Sequence, residues 1–218
     1  MQDNDIHQAM AILRESAKQW QPGLVDDMAR VEPNPYHILM ATILSLRTKD
    51  TLTAQVAPRL FALAGNPYDM VRQPPEKIAE TIYPVGFYRN KAKSILAISQ
   101  KLIDDYNGSV PADLDELLKL PGVGRKTANL VLTAGFNKPG ICVDTHVHRI
   151  SNRWGYVKTK TPEETEFALR AKLPPEYWLE YNGLLVSLGQ TICHPTSPWC
   201  SKCPVAQFCN RVGVVRSR

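Results

Sequence analysis

The sequence predicts an all-α protein, and three observations carry that prediction. Ile6, Met10, Ile12 and Leu13 fall in one amphipathic stretch over residues 6 to 19. Residues 36 to 46, YHILMATILSL, are apolar almost all round, as in a helix enclosed by a core. Proline and glycine at 31–35, 65–67, 73–75, 107–111, 121–124, 138–140 and 174–175 divide the rest into pieces of helical length, with no run of alternating strands between them.

Bulk composition narrows the function classes. At 218 residues the chain can build one sizeable core or two smaller ones. Lysine plus arginine total 26 against 21 acidic residues, for a net charge of +5. That modest basic excess tilts toward a polyanionic partner. The first residues, MQDNDIHQAM, carry acidic groups and no apolar run of leader length, and no later segment offers about 18 uninterrupted apolar residues. A cytoplasmic monomer with no membrane partner is the expectation. Under reducing conditions five cysteines point to metal binding, reactivity or burial before disulfides.

Two segments share a pattern of helix, Pro/Gly turn, basic residues and helix: ETIYPVGFYRNKAKSIL (80–96) and LLKLPGVGRKTANLVL (117–132). The second has the look of a nucleotide-binding loop, and its spacing rules that out. A Walker-type loop follows a strand and places lysine directly after the second of two glycines four residues apart. Here one residue separates Gly122 from Gly124, Arg125 intervenes before Lys126, and Leu114, Leu117 and Leu118 ahead of the turn have helical spacing. What remains is a hairpin of two helices joined by Pro121-Gly122-Val123-Gly124. Glycine amides and the following helix N-terminus suit a DNA backbone phosphate, and an ordinary connection in a helical bundle is the alternative. Lys126, in the first turn of the second helix, is either a nucleophilic amine or a solvated surface lysine.

ICVDTHVHRISNR (141–153) reads as a helix through His146, Arg149, Ile150 and Arg153 with Asp144 as its N-cap. A carboxylate there also faces any nearby cation in its ionised form. A metal site from Asp144, His146 and His148 is a weaker alternative, and Cys142 between apolar neighbours reads as packing. The remaining cysteines, Cys193, Cys200, Cys203 and Cys209, follow C-x6-C-x2-C-x5-C within 17 residues. Four thiolates among prolines, without helical or strand period, describe a loop wrapped on a metal centre. Spacing alone leaves zinc and an iron–sulfur cluster both open.

LPGVGRKTA, the VDTH whose aspartate lies 18 residues beyond Lys126, and the cysteine pattern together resemble the endonuclease III family of helix-hairpin-helix DNA glycosylases, from about residue 36 to Cys209. The resemblance implies two helical domains with DNA in the cleft between them. One is a six-helix domain at 28–138 bearing the helix-hairpin-helix at about 113–135; the other joins 1–27 to 139–218, with the cluster loop at 193–209. It implies Lys126 as nucleophile, Asp144 as catalytic carboxylate, and a [4Fe–4S] cluster on Cys193, Cys200, Cys203 and Cys209. It also implies DNA contacts from Gly122, Val123, Gly124 and Arg125, and an apolar wedge at Phe87, for which a core aromatic is the alternative.

One departure stands out. LSLRTKD carries Arg47 where familiar members have a glutamine that fills the space beside the orphaned base, so insertion by a longer cationic side chain is expected. Asp50 in the same stretch matches the family pattern. Lys202, Arg211, Arg216 and Arg218 make the cysteine-rich end basic. The implied activity is base excision of oxidised pyrimidines from duplex DNA with strand cleavage at the resulting abasic site. Its competitors are a glycosylase of other lesion or mismatch specificity, a non-catalytic iron–sulfur DNA-binding protein, and an iron–sulfur electron carrier.

Overall fold

The computed structural model describes the whole chain except Gln21, Pro22, Leu24, Asp26, Asp27, Arg30, Val31 and Glu32. Two residues of the expected 31–35 break, and one side of the 27/28 boundary, therefore lie outside the described residues. In chain order the helices are α1 (Asp5–Ala17), α2 (Pro35–Ser45), α3 (Asp50–Leu63), α4 (Pro67–Met70), α5 (Pro75–Ile82) and α6 (Tyr88–Tyr106). They continue as α7 (Leu114–Leu118), α8 (Arg125–Leu130), α9 (Thr145–Arg153), α10 (Pro162–Lys172) and α11 (Tyr181–Thr191). Among the described residues there is no strand, as the sequence predicts. None of their helices is long and apolar enough to cross a membrane. The chain divides into two compact units, Leu24–Lys138 and Met1–Gly23 with Pro139–Arg218.

The first unit is built around α2. Asn34 caps it by accepting from the Tyr36 and His37 amides at 3.0 and 3.1 Å, with Pro35 at the first helical position. Every residue from Tyr36 to Leu44 is buried except His37, which stacks on Phe61 at 4.1 Å. An all-round apolar helix must be enclosed, and α3, α6, α8 and the turn after α8 pack around it. Each fully buried Leu, Ile or Met side chain contributes about 1.5–3 kcal/mol. The α6 helix buries the stripe Lys91, Ala92, Ile95, Ile98, Ser99 and Leu102 and stops at Asn107 and Gly108, both left-handed.

In the second unit α1 packs on α11, and α9 packs on α10 and α11. Ile6, Ala9, Met10 and Leu13 meet Val147, Ile150, Trp154, Leu185 and Leu188 in one core. Ile12 only borders it, because residues 6, 9, 10 and 13 already occupy the buried stripe of a 3.6-residue helix. Arg14 reinforces the packing with both of its Nε contacts to the Glu180 carboxylate at 2.9 Å.

Candidate active site and cysteine-lined pocket

The hairpin is assembled by local rules. Asp113 caps α7, accepting from the Asp115 and Glu116 amides at 2.9 and 3.1 Å. The chain then turns through Leu120 and Val123, whose buried side chains anchor the turn while Pro121, Gly122 and Gly124 stay exposed. Gly122 has φ +76°, a conformation that strains a residue with a Cβ. A Cβ at Gly122 or Gly124 would meet nothing within 4 Å, so the turn presents bare backbone outward. The α8 helix starts at Arg125 and places Lys126 half-buried in its first turn. It passes into a π-helical turn at Val131–Gly135, where a Cβ on Gly135 would sit 3.2 Å from the Pro35 Cα, so glycine is what lets this turn close on α2.

The second hairpin of the sequence pattern, α5 to α6, lies in the same unit, and its turn carries the largest finding about the predicted contacts. Phe87 is not a core aromatic: it is 56% exposed. Arg47 is exposed too, and its guanidinium lies 4.6 Å from the centroid of the Phe87 ring, a cation–π pair. Both residues are left-handed, at φ 56° and 60°, a conformation that costs a residue with a Cβ of order 1–3 kcal/mol. Two residues assigned separately from sequence, 40 positions apart, thus form one protrusion. Asp50 opens α3, where a carboxylate meets the positive end of the helix dipole.

Beneath that protrusion lies a residue the sequence reading passed over. Lys91 is buried and its Nζ donates to the Leu44 carbonyl at 2.6 Å, the Leu46 carbonyl at 2.7 Å and Thr48 Oγ1 at 2.9 Å. The available signal was its place in the apolar stripe of α6, four residues before Ile95, amid the surface-like run RNKAK. Burial pushes its ammonium down to about 8 from the ordinary lysine range. A lysine depressed on folding binds a proton more readily in the unfolded chain, so its contribution to stability rises between about pH 8 and pH 10.5. Urea unfolding of the wild type and Lys91→Met across that window is expected to show the gap widening in the wild type's favour as pH rises.

In the unit holding α9, Asp144 is the N-cap predicted from sequence, its Oδ1 accepting from the Val147 amide at 2.8 Å. His146 Nδ1 pairs with Arg149 Nη2 at 3.1 Å and His148 Nδ1 with Thr165 Oγ1 at 2.7 Å. Cys142 is buried among apolar neighbours, as read from the sequence.

The other four cysteines line one concavity, walled by Trp154, Leu188, Ile192, Trp199 and Val214. Short 3-10 turns at Cys200–Lys202 and Ala206–Phe208 carry the loop. Two arginines on α9 hold its start: Arg149 Nη2 donates to the Cys193 carbonyl at 2.8 Å, and Arg153 donates to the His194 and Pro195 carbonyls, each at 2.6 Å. Sulfur accepts as well, Cys193 from Arg153 Nη1 and Cys209 from the Arg211 amide, both at 3.4 Å. Burial pushes the Cys203 thiol up to about 11. Among the described residues no group of three or more His, Cys, Asp or Glu stands arranged to hold a metal ion. Lys202 and Arg218 both lie 4.5 Å over the Trp199 ring, so the basic end folds back on the loop.

Residues 40–175 match the model of the HhH-GPD superfamily of base excision DNA repair proteins. Endonuclease III of Thermotoga maritima is 49% identical over 178 residues, covering 82% of this chain and 84% of that protein. The chain belongs to the endonuclease III family. Endonuclease III of Bacillus subtilis is 42% identical over 180 residues, 82% of each chain. A solved structure of a trapped endonuclease III–DNA covalent intermediate, in an estranged-adenine complex, superposes with a TM-score of 0.86 at 36% identity over 97% of both chains. The matched residues include the whole of the α7–α8 hairpin.

Proposed function

We propose that the chain is a bifunctional DNA glycosylase and AP lyase of base excision repair, acting on oxidised pyrimidines and abasic sites in duplex DNA. The observation that carries this reading is the exposed glycine turn that leads into α8 with Lys126 as its second residue, in a chain similar over nearly its whole length to an endonuclease III trapped covalently on DNA. The amides of Gly122, Val123 and Gly124, with Arg125, hold a backbone phosphate and fix register without reading bases. Arg47 and Phe87 fill the gap beside the orphaned base, and a damaged base, which stacks and pairs poorly, is the cheaper one to extrude.

The chemistry follows from a primary amine. Lys126 Nζ, its proton accepted by Asp144, attacks the sugar C1′; the bond from C1′ to the base breaks and the base leaves with that electron pair. Asp144 also offsets positive charge developing on the sugar. The sugar ring opens to a Schiff base on Lys126, the C2′ proton is removed, and the C3′–O bond breaks to release the 3′ phosphate. A residue that merely activates water would stop at base removal. In a prokaryote a DNA substrate would put this work in the cytoplasm, at the nucleoid.

Cys193, Cys200, Cys203 and Cys209 would hold a [4Fe–4S] cluster. The donor set suits such a group, four thiols lining one apolar-walled concavity with N–H donors directed at two of the sulfurs, although among the described residues no three ligands stand grouped for a metal ion. When bound it supplies a cross-link that fixes the loop; the residues that reach DNA and sugar lie elsewhere in the sequence.

The deciding experiment incubates the protein with a duplex carrying one thymine glycol and adds borohydride. A covalent protein–DNA product together with strand cleavage is the expected result, and DNA binding with neither product overturns the enzymatic reading in favour of a binding module. Asp144 permits a finer test because it has two roles. Asp144→Asn keeps a capping oxygen and loses the carboxylate, so melting stays within about 2 °C while excision falls on the order of 100-fold. Asp144→Ala loses the same activity and also about 1 kcal/mol of stability. Equal activity in Asp144→Asn and wild type would leave Asp144 as a cap alone.

A further inference from the structure

We propose that Lys91 is a positioning residue that locks the Arg47 loop to the Phe87 turn, so that the two side chains meet DNA as one preassembled wedge. This rests on the reading of Arg47 and Phe87 as the inserting pair. The α2 helix ends beneath Arg47, and its last carbonyls have no partner within the helix. Lys91 supplies it: one ammonium bridges Leu44 O, Leu46 O and Thr48 Oγ1, at 2.6, 2.7 and 2.9 Å, and so ties the backbone just before Arg47 to the side chain of the residue just after it. All three acceptors are neutral oxygens, and an ammonium at a helix C-terminus is favoured by the dipole as well.

The same lysine stands one turn into α6, where its own amide donates to the Phe87 carbonyl at 3.0 Å. Lys91 is therefore tied to both halves of the protrusion, to Phe87 through its backbone and to the residues flanking Arg47 through its side chain. Gly86 completes the contact: a Cβ there would lie 3.3 Å from the Arg47 carbonyl and 3.7 Å from Thr48 Oγ1, so the two loops meet backbone to backbone. The left-handed φ of both Arg47 and Phe87 is held from below by these ties.

The physical need is stiffness. Prying a nucleotide from the stack requires a wedge that does not yield, and a loop free to reorder spends the interaction on its own ordering. A simple helix cap would stabilise α2 without caring what stands on the loop. A positioning lysine acts only where a wedge is needed.

That difference sets the test. Single-turnover cleavage at an abasic site is measured on the holoprotein, in a fully paired duplex and in a bubble of a few mismatched pairs where the nucleotide is already unstacked. Lys91→Met is expected to slow the duplex reaction about 10- to 100-fold and the bubble reaction less than about twofold. The double variant Arg47→Ala/Phe87→Ala should show the same duplex defect, and adding Lys91→Met to it should slow the duplex no further, because the lysine acts through that pair. Equal losses on both substrates, or losses that multiply in the triple variant, would overturn the assignment. A slowed double variant beside a normal Lys91→Met would overturn the role of Lys91 alone, whereas a double variant at the wild-type duplex rate would overturn the wedge itself and the proposal with it. Should Lys91→Met not fold, Thr48→Val decides: removing one of the three acceptors should give about a threefold loss confined to the duplex.

Discussion

Lys126→Ala is expected to bind a thymine-glycol duplex within about threefold of the wild type, to form no borohydride-stable adduct, and to lose base release and strand cleavage by a factor on the order of 10⁴ or more. The two halves of that result have separate physical origins. Binding depends mainly on backbone phosphates, and the amides of the turn from Gly122 to Gly124 are fixed by the buried side chains of Leu120 and Val123, which the substitution leaves alone. Losing one cation lowers the salt dependence of binding by about one phosphate contact. Chemistry depends on an amine able to form a carbon–nitrogen bond and then a Schiff base, which alanine lacks. Lys126→Arg sharpens the conclusion, since guanidinium keeps the positive charge and is not a nucleophile near neutral pH. It should be as inactive as Lys126→Ala while restoring the salt slope. Undiminished strand cleavage by either variant would remove Lys126 from the mechanism.

The second large effect is expected at the cysteine-lined pocket. Cys203→Ser in the holoprotein should abolish the visible absorbance of an iron–sulfur cluster and lower the melting temperature by roughly 10 °C, the equivalent of several kcal/mol in a chain of this size. The loop has little to replace a cross-link: its regular structure amounts to two 3-10 turns of three residues, and all four thiols are only partly buried. The loss should propagate. Arg149 and Arg153 tie α9 to Cys193, His194 and Pro195, and the opposite end of that helix is capped by Asp144. Excision is therefore expected to fall with the loss of this cross-link even though the four cysteines take no part in the proposed reaction. Iron analysis and circular dichroism melting of the variant check both parts; unchanged absorbance and melting would show that Cys203 is not a ligand.

Much of this molecule could be read from local rules. Helices were legible because their buried faces repeat at 3.6 residues, as in Ile6, Met10 and Leu13 on α1, or because they are apolar throughout, as in α2. The hairpin was legible because a positive φ at Gly122 and an exposed turn demand glycine, and few other residues satisfy that demand. The capping role of Asp144 was legible for the same reason, since it is settled within four residues of chain. Membership of the endonuclease III family was carried by three such local patterns in order.

Phe87, Arg47 and Lys91 were decided at longer range. Nothing within a few residues of Phe87 distinguishes an exposed wedge from a core aromatic, because the outcome depends on which face of the α5–α6 turn the rest of the unit covers. Arg47 and Phe87 become one feature only when α2 and α6 are packed, and Lys91 becomes a buried tether only because α2 ends where its side chain arrives. The sequence by itself determined the helices, the hairpin turn, the Asp144 cap and the cysteine spacing, since each is satisfied within its own stretch of backbone. The tertiary structure alone decided which polar groups are buried together and which aromatics stay in water, because those depend on the desolvation and packing of segments tens of residues apart.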